Sequence, residues 1–98
     1  MSMTVIVTRD VAPRVNGFLT SCMLEIAPGV FTAPTMTAGV RDRVWTVIED
    51  WFDALGGGAI VMTWRDSSTP ARQSIRVLGL PPRKIVEIDG MLLLKKER

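Results

Sequence analysis

Asp10 follows a short apolar run and stands between Arg9 and Arg14. A carboxylate at the end of a strand suits Mg2+, which takes one or two carboxylates and keeps several waters. In a dimer, the symmetry mate would supply the second carboxylate. Asp10 is therefore the candidate catalytic and metal-binding residue. The same side chain suits a helix cap or an ion pair with Arg9 or Arg14, and one carboxylate alone does not provide base, acid and orienting group together. Arg14 is the second candidate. A cation in a helix's first turn opposes the macrodipole at a cost of roughly 0.3 to 1 kcal/mol. Something negative should compensate, either Asp10 or a phosphate held jointly by the guanidinium and free backbone N–H groups. A third group is Arg83-Lys84, which follows Pro81-Pro82. The prolines stiffen the approach and lower the ordering cost of presenting the charges, although on the residues alone a solvated turn is the first reading.

The composition excludes much other chemistry. The chain has 98 residues with no histidine and one cysteine, Cys22. Disulfide frameworks, His/Cys zinc sites and hydrolases built on an imidazole base are excluded within it. This length fits one domain that buries somewhat over ~60% of its unfolded surface, so a partner subunit would help. The apolar share is 47% and the charged share 22%, ordinary for a soluble globular chain. No apolar run approaches the ~18 residues that span a bilayer, and "MSMTVIVTRD" lacks the basic start and long apolar stretch of a signal peptide. The expectation is a cytoplasmic protein with no membrane contact. The net charge of +2 divides into −2 over residues 1 to 64 and +4 over residues 65 to 98. That asymmetry suits a polyanion-facing side or a solvated basic tail.

Several elements must position these residues. Val5-Ile6-Val7 reads as a buried strand. Pro13 suits a helix's first turn, and Val15, Phe18, Leu19, Cys22, Met23 and Ile26 then share a helical face until Pro28-Gly29. Val30 to Thr32 reads as a short second strand. A longer helix carries Val40, Val44, Val47, Ile48, Trp51 and Leu55 on one stripe. Gly56-Gly57-Gly58 ends it; with no Lys-Ser/Thr following, this is a helix stop and not a phosphate loop. Ala59 to Trp64 and Gln73 to Leu78 read as strands around the polar "RDSSTPAR" turn. Val86 to Ile88 and Met91 to Leu93 flank Asp89-Gly90, a two-residue hairpin turn. Such a terminal hairpin, Glu87 to Leu94, either closes on itself or adds to an exposed sheet edge.

Strands interleaved with two amphipathic helices imply an α+β, ferredoxin-like sandwich of the βαββαβ type over residues 1 to 98. Its sheet is antiparallel, and a C-terminal hairpin and tail occupy about residues 86 to 98. The second sheet face needs cover, and Met91 to Leu94 is too apolar to leave in water, which points to a sheet-mediated homodimer. No recognition helix carries an Arg/Asn/Gln array and the few aromatics fall on core stripes, so any nucleic-acid binding should be sequence-independent and salt-sensitive.

Several segments in order resemble a known family: Met1-Ser2-Met3 with a valine-rich strand and Thr8, and Pro13-Arg14 with Gly17 and Leu19. Leu24-Glu25 with Gly29-Val30, Arg41 ahead of Trp45, and Val61-Met62 with Trp64 continue the series. Gly79-Leu80 ahead of Arg83, and Val86 ahead of Asp89-Gly90, complete it. From Met1 to about Leu93 the chain resembles CRISPR-associated protein 2 in its type I-E form, the small subunit of the prokaryotic spacer-acquisition complex.

The resemblance implies a homodimer bridging two dimers of the CRISPR-associated protein 1 integrase. The larger protein performs strand transfer, and the small subunit lies under the middle of a captured double-stranded DNA. It implies phosphate contacts by Arg14, Asn16 and Arg83, with Lys84 replacing a basic residue lost at Pro82. Phe18 also stands where relatives are basic and reads as core. The hairpin residues Glu87, Ile88, Met91, Leu92, Leu93 and Leu94 would cover the other protomer and dock the integrase. Asp10-Val11 matches an aspartate in relatives described as metal-dependent nucleases, giving an alternative reading as an Mg2+-dependent endonuclease with paired Asp10 residues. In the type I-E form such chemistry is not needed for integration, and Arg9 replaces an acidic residue found there. The tail Lys95 to Arg98 differs from the apolar ending of some relatives.

Overall fold

In the computed structural model, which describes residues 2 to 79 and 85 to 94, the valine-rich run forms the central strand β1, Ser2–Arg9. Its side chains alternate: Thr4, Ile6 and Thr8 are buried, while Met3 and Val7 are exposed, as the period of two in a strand requires. Helix α1, Pro13–Cys22, begins with proline at its first position. It buries Val15 and Leu19.

The helix is shorter than its apolar spacing suggests. Met23 is already extended, with φ −140° and ψ 163°, and its N–H closes on the Leu19 carbonyl at 2.8 Å. Leu24–Ala27 forms β2, paired with β3, Val30–Met36, across the Pro28-Gly29 turn. Ile26 is therefore an exposed strand residue and not part of a helical stripe. A short apolar run fits either period, and here the ladder offered by β3 decides. Gly29 turns at φ +77°, and a Cβ there would lie 2.6 Å from the Thr8 carbonyl oxygen. Strand β3 also outruns the expected Val30 to Thr32. It carries Pro34 through a register shift opposite Ser2 and Thr4, where a residue lacking an N–H does little harm.

Helix α2, Ala38–Leu55, starts at Thr37, whose hydroxyl accepts from the Val40 N–H at 3.3 Å. Its buried stripe is Arg41, Val44, Trp45 and Ile48. The valine stripe expected from spacing is rotated, so Val40 and Leu55 are exposed. Burying the Trp45 indole removes more apolar area from water than burying either of them.

Strands β4, Ala59–Arg65, and β5, Gln73–Leu78, complete a five-stranded antiparallel sheet in the order β2-β3-β1-β4-β5. β3 lies between β1 and β2, and β1 between β3 and β4. This pair of split βαβ units, with both helices packed on one face, is the ferredoxin-like α+β fold. Ile6, Phe31, Ile48, Ile60 and Met62 are fully buried between the layers. β6, Ile85–Ile88, and β7, Met91–Leu94, form a separate two-stranded ladder. Asp89 and Gly90 sit at φ 53° and 77°, the pair of positive values that a tight hairpin turn needs.

The far face of the sheet has no helix on it. Register places Val5, Val7, Val61, Ile75 and Val77 there, joined at the edge by Leu24 opposite Thr32. β5 turns Ile75 and Val77 to this face and sends Ser74, Arg76 and Leu78 toward the helices. Among the described residues no helix is long and apolar enough to cross a membrane.

Candidate nucleic-acid interface

The charged junction between β1 and α1 is held by backbone contacts from several sides. The Thr8 N–H donates to the Gly29 carbonyl at 2.7 Å, and the Thr8 hydroxyl donates to Asn16 Oδ1 at 2.9 Å. Gly58 closes the other side: a Cβ there would collide with the Arg9 carbonyl oxygen and stand 2.5 Å from that of Asp10. The triple glycine stops α2 and also lets its end approach the junction. Only glycine combines that closeness with φ +78°.

Asp10 sits at the bend with φ 54° and is exposed. Aspartate tolerates this left-handed conformation better than most residues. It does not cap α1: the cap position is Ala12, with no side-chain bond to the helix. Among the described residues Asp10 forms no ion pair with Arg9 or Arg14; the ion pair among them joins Arg76 and Asp42, away from this junction. No group of three or more His, Cys, Asp or Glu side chains gathers among the described residues. A single chain thus brings Asp10 to this spot as one carboxylate, and an Mg2+ held here would take its remaining ligands from water or a second copy.

Arg14 is exposed, and its guanidinium lies over the Trp51 ring at 5.8 Å from the centroid. Phe18 meets the same ring edge-on at 5.3 Å and 84°, which makes Phe18 a packing residue, half-buried against the core. The first turn of α1 contains no acidic residue, so the local offset to the Arg14 charge is the indole face. Asn16 is half-buried and spends its carbonyl oxygen on Thr8. Next to this junction, on the open sheet face, lies a cavity of about 410 Å³ lined by Val7, Thr8, Arg9, Pro28, Ala59 and Val61.

Arg14, Asn16 and Asp10 therefore share one end of the sheet. Arg83 and Lys84 lie outside the described residues, as does the Lys95 to Arg98 tail. The candidate interface residues Glu87, Ile88, Met91, Leu92, Leu93 and Leu94 are all on the hairpin, with Ile88, Met91, Leu93 and Leu94 exposed and Leu92 half-buried.

A charged cluster that the sequence did not reveal stands at the opposite end. Arg41 is buried and stacks on Trp64 at 4.1 Å from the ring centroid, and Arg76 covers the same ring at 4.9 Å. Arg76 also pairs with Asp42 at 2.7 Å. The Ser68 and Ser74 hydroxyls donate to Asp66. Together with the Ser68 N–H and nearby Arg41, these bonds hold its carboxyl below the usual carboxylate range. Alternation in Gln73 to Leu78 puts Arg76 on the face of Leu78, which was the available signal.

The fold and these sites define a small ferredoxin-like protein with one helix-covered and one uncovered sheet face, and a charged strand-to-helix junction at one end. A family model described as CRISPR-associated protein (Cas_Cas2CT1978) matches residues 3–93. The chain belongs to this Cas2-like family, and so to the CRISPR system.

Proposed function

We propose that this chain is a structural subunit of the CRISPR spacer-acquisition complex, in its type I-E form. Two copies join through their open sheet faces, bridge two integrase dimers and cradle double-stranded DNA without reading its sequence. The observation that carries this reading is β5, which points Ile75 and Val77 at the uncovered face and gives its inner side to Arg76. A strand so oriented expects apolar cover on its outside, and a second copy is the cover that symmetry supplies most simply. Arg14, Asn16, Arg83 and Lys84 are the proposed phosphate contacts, and the hairpin from Glu87 to Leu94 the proposed integrase contact.

The test is copurification with the integrase, followed by half-site integration with and without this chain. Arg14→Ala combined with Arg83→Ala should weaken duplex binding and lower the salt slope by about one for each phosphate that is no longer neutralised. Unchanged affinity and slope would reject these assignments. A second reading, an Mg2+-dependent endonuclease with paired Asp10 residues, is favoured by one observation: the Asp10 carboxylate neither caps α1 nor joins an ion pair among the described residues. Under that reading the purified protein cuts RNA or DNA with Mg2+, and Asp10→Ala abolishes cutting.

A further inference from the structure

The open sheet face is apolar along its middle and cationic at both ends. Alternation along β1 puts Arg9 on the side of Val5 and Val7, where it lines the junction cavity with Val7, Ala59 and Val61. At the other end of the same face, Arg65 and Arg72 line a second cavity, of about 380 Å³, with Met3 and Val5. All three arginines are exposed, and none is ion-paired among the described residues. A guanidinium sealed beneath a second sheet without a counter-charge is strongly unfavourable. A face that is to be covered must therefore bring a carboxylate to Arg9.

Few carboxylates stand at that end. Glu25 accepts the Gly29 N–H at 3.0 Å and so closes its own turn. Asp50 and Asp53 belong to α2, on the covered side of the sheet. Asp10 follows Arg9 directly, is exposed, and does not pair with it within the chain. In a two-fold contact, residue i of one copy meets residue j of the other and j meets i, so neighbouring opposite charges that fail to meet in one chain can meet twice in two. The charges also select the direction. Junction against far end would set Arg9 on Arg65 and Arg72, cation on cation, whereas junction against junction sets Arg9 on Asp10.

We propose that in the sheet-to-sheet dimer, on which this inference rests, Arg9 of each copy pairs with Asp10 of the other. The two reciprocal ion pairs fix the copies junction against junction and neutralise Arg9 as the apolar middle of the face closes. They also engage the Asp10 carboxylates with guanidinium groups in place of Mg2+.

Sedimentation equilibrium of the full chain gives the dimer Kd, and native mass spectrometry counts mixed dimers. Arg9→Asp and Asp10→Arg each put two like-charge contacts into their own homodimer and should weaken it about tenfold or more. Mixed in equal amounts, the two variants regain both ion pairs, so the heterodimer should take nearly all of the dimer instead of the half that random pairing gives. Asp10→Asn keeps a residue that tolerates the left-handed bend. It should weaken the dimer a few-fold and reduce its salt dependence, whereas Glu25→Gln and added Mg2+ should leave Kd unchanged. Circular dichroism checks that each variant is folded. A mixture that pairs at random or not at all overturns the ion pairs, as does a wild-type Kd in all three charge variants. Loss at Glu25→Gln with none at Asp10→Asn would give Arg9 to the other carboxylate, and a dimer tightened by Mg2+ would give Asp10 to the metal; both overturn the proposal. Each of these results leaves the sheet-to-sheet dimer standing, whereas a wild-type chain that stays monomeric removes that dimer itself.

Discussion

Arg41 and Arg14 each lie over a tryptophan ring, at opposite ends of the sheet, and they differ in what surrounds them. Arg41 is buried, 4.1 Å from the Trp64 centroid, with Arg76 on the same ring and its Nε without a hydrogen-bond partner among the described residues. Arg14 is exposed, 5.8 Å from the Trp51 centroid, in a helix turn with no acidic neighbour. The first arginine is committed to the packing. The second keeps most of its charge available to solvent or to an anion. A cation gains most from an aromatic face when both are desolvated, so stability should concentrate at Trp64 and binding at Arg14.

The contrast can be broken most sharply at Trp64. Trp64→Ala removes a buried indole and the surface on which two guanidinium groups stack, and should cost about 3 to 5 kcal/mol in denaturant melts. For a domain whose whole stability is of order 5 to 15 kcal/mol, that approaches unfolding. A loss under about 1 kcal/mol would show that the stack is incidental. Gly58→Ala comes next. Its methyl group meets the Arg9 and Asp10 carbonyls in a left-handed backbone, and about 2 kcal/mol of strain is expected, with the junction displaced. The same change at Gly17, where a Cβ meets nothing within 4 Å, should be neutral or mildly stabilising, since the helix interior favours alanine.

A finer comparison pairs Arg41→Ala with Arg14→Ala. The buried change should lose about 2 kcal/mol by melting and the exposed one about 0.5 kcal/mol or less, with the order reversed in duplex affinity. Equal effects in both measurements would remove the distinction between the two ends. The smallest expected effect is at Asp66. Its folded pKa is lowered by the Ser68 and Ser74 hydroxyls. Its contribution is therefore complete above the unfolded carboxylate value of about 3.9 and disappears as pH falls through the lower folded value. Asp66→Asn should flatten the acid limb of the melting profile by slightly lowering stability near neutral pH, where the contribution is complete, and leaving the most acidic end unchanged.

Much of the architecture was legible in the residues. Val5-Ile6-Val7, Gln73 to Leu78 and the Asp89-Gly90 hairpin are found where alternation and turn chemistry place them. The ends and rotations of the helices were not. Met23 to Ile26 fits a helical stripe, yet Leu24–Ala27 pairs with β3, because local periodicity does not weigh a ladder formed across a turn. The stripe on α2 was misplaced for a related reason: spacing favours Val40 and Leu55, while Trp45 and Arg41 fill the space beneath.

The residues at the junction were legible as candidates, but their relations were not. Asp10, Arg14 and Asn16 crowd together in sequence. Only the folded chain shows that Asp10 leaves α1 uncapped, that Asn16 is spent on Thr8, and that Arg14 leans on Trp51. The signals that led to the family also follow the chain, and the matching span of residues 3–93 covers nearly all of it.

Residue order and composition were enough to set the alternation of strands and helices, the lack of imidazole and disulfide chemistry, and the surplus of cations after residue 64. Those properties depend on residue type and on neighbours a few bonds away. Folding in three dimensions was needed to select which apolar residues face the helices and which remain uncovered, and which arginines are buried beneath aromatic rings. These outcomes depend on pairing between segments distant in the chain, where register and packing volume choose among faces that local pattern leaves equivalent.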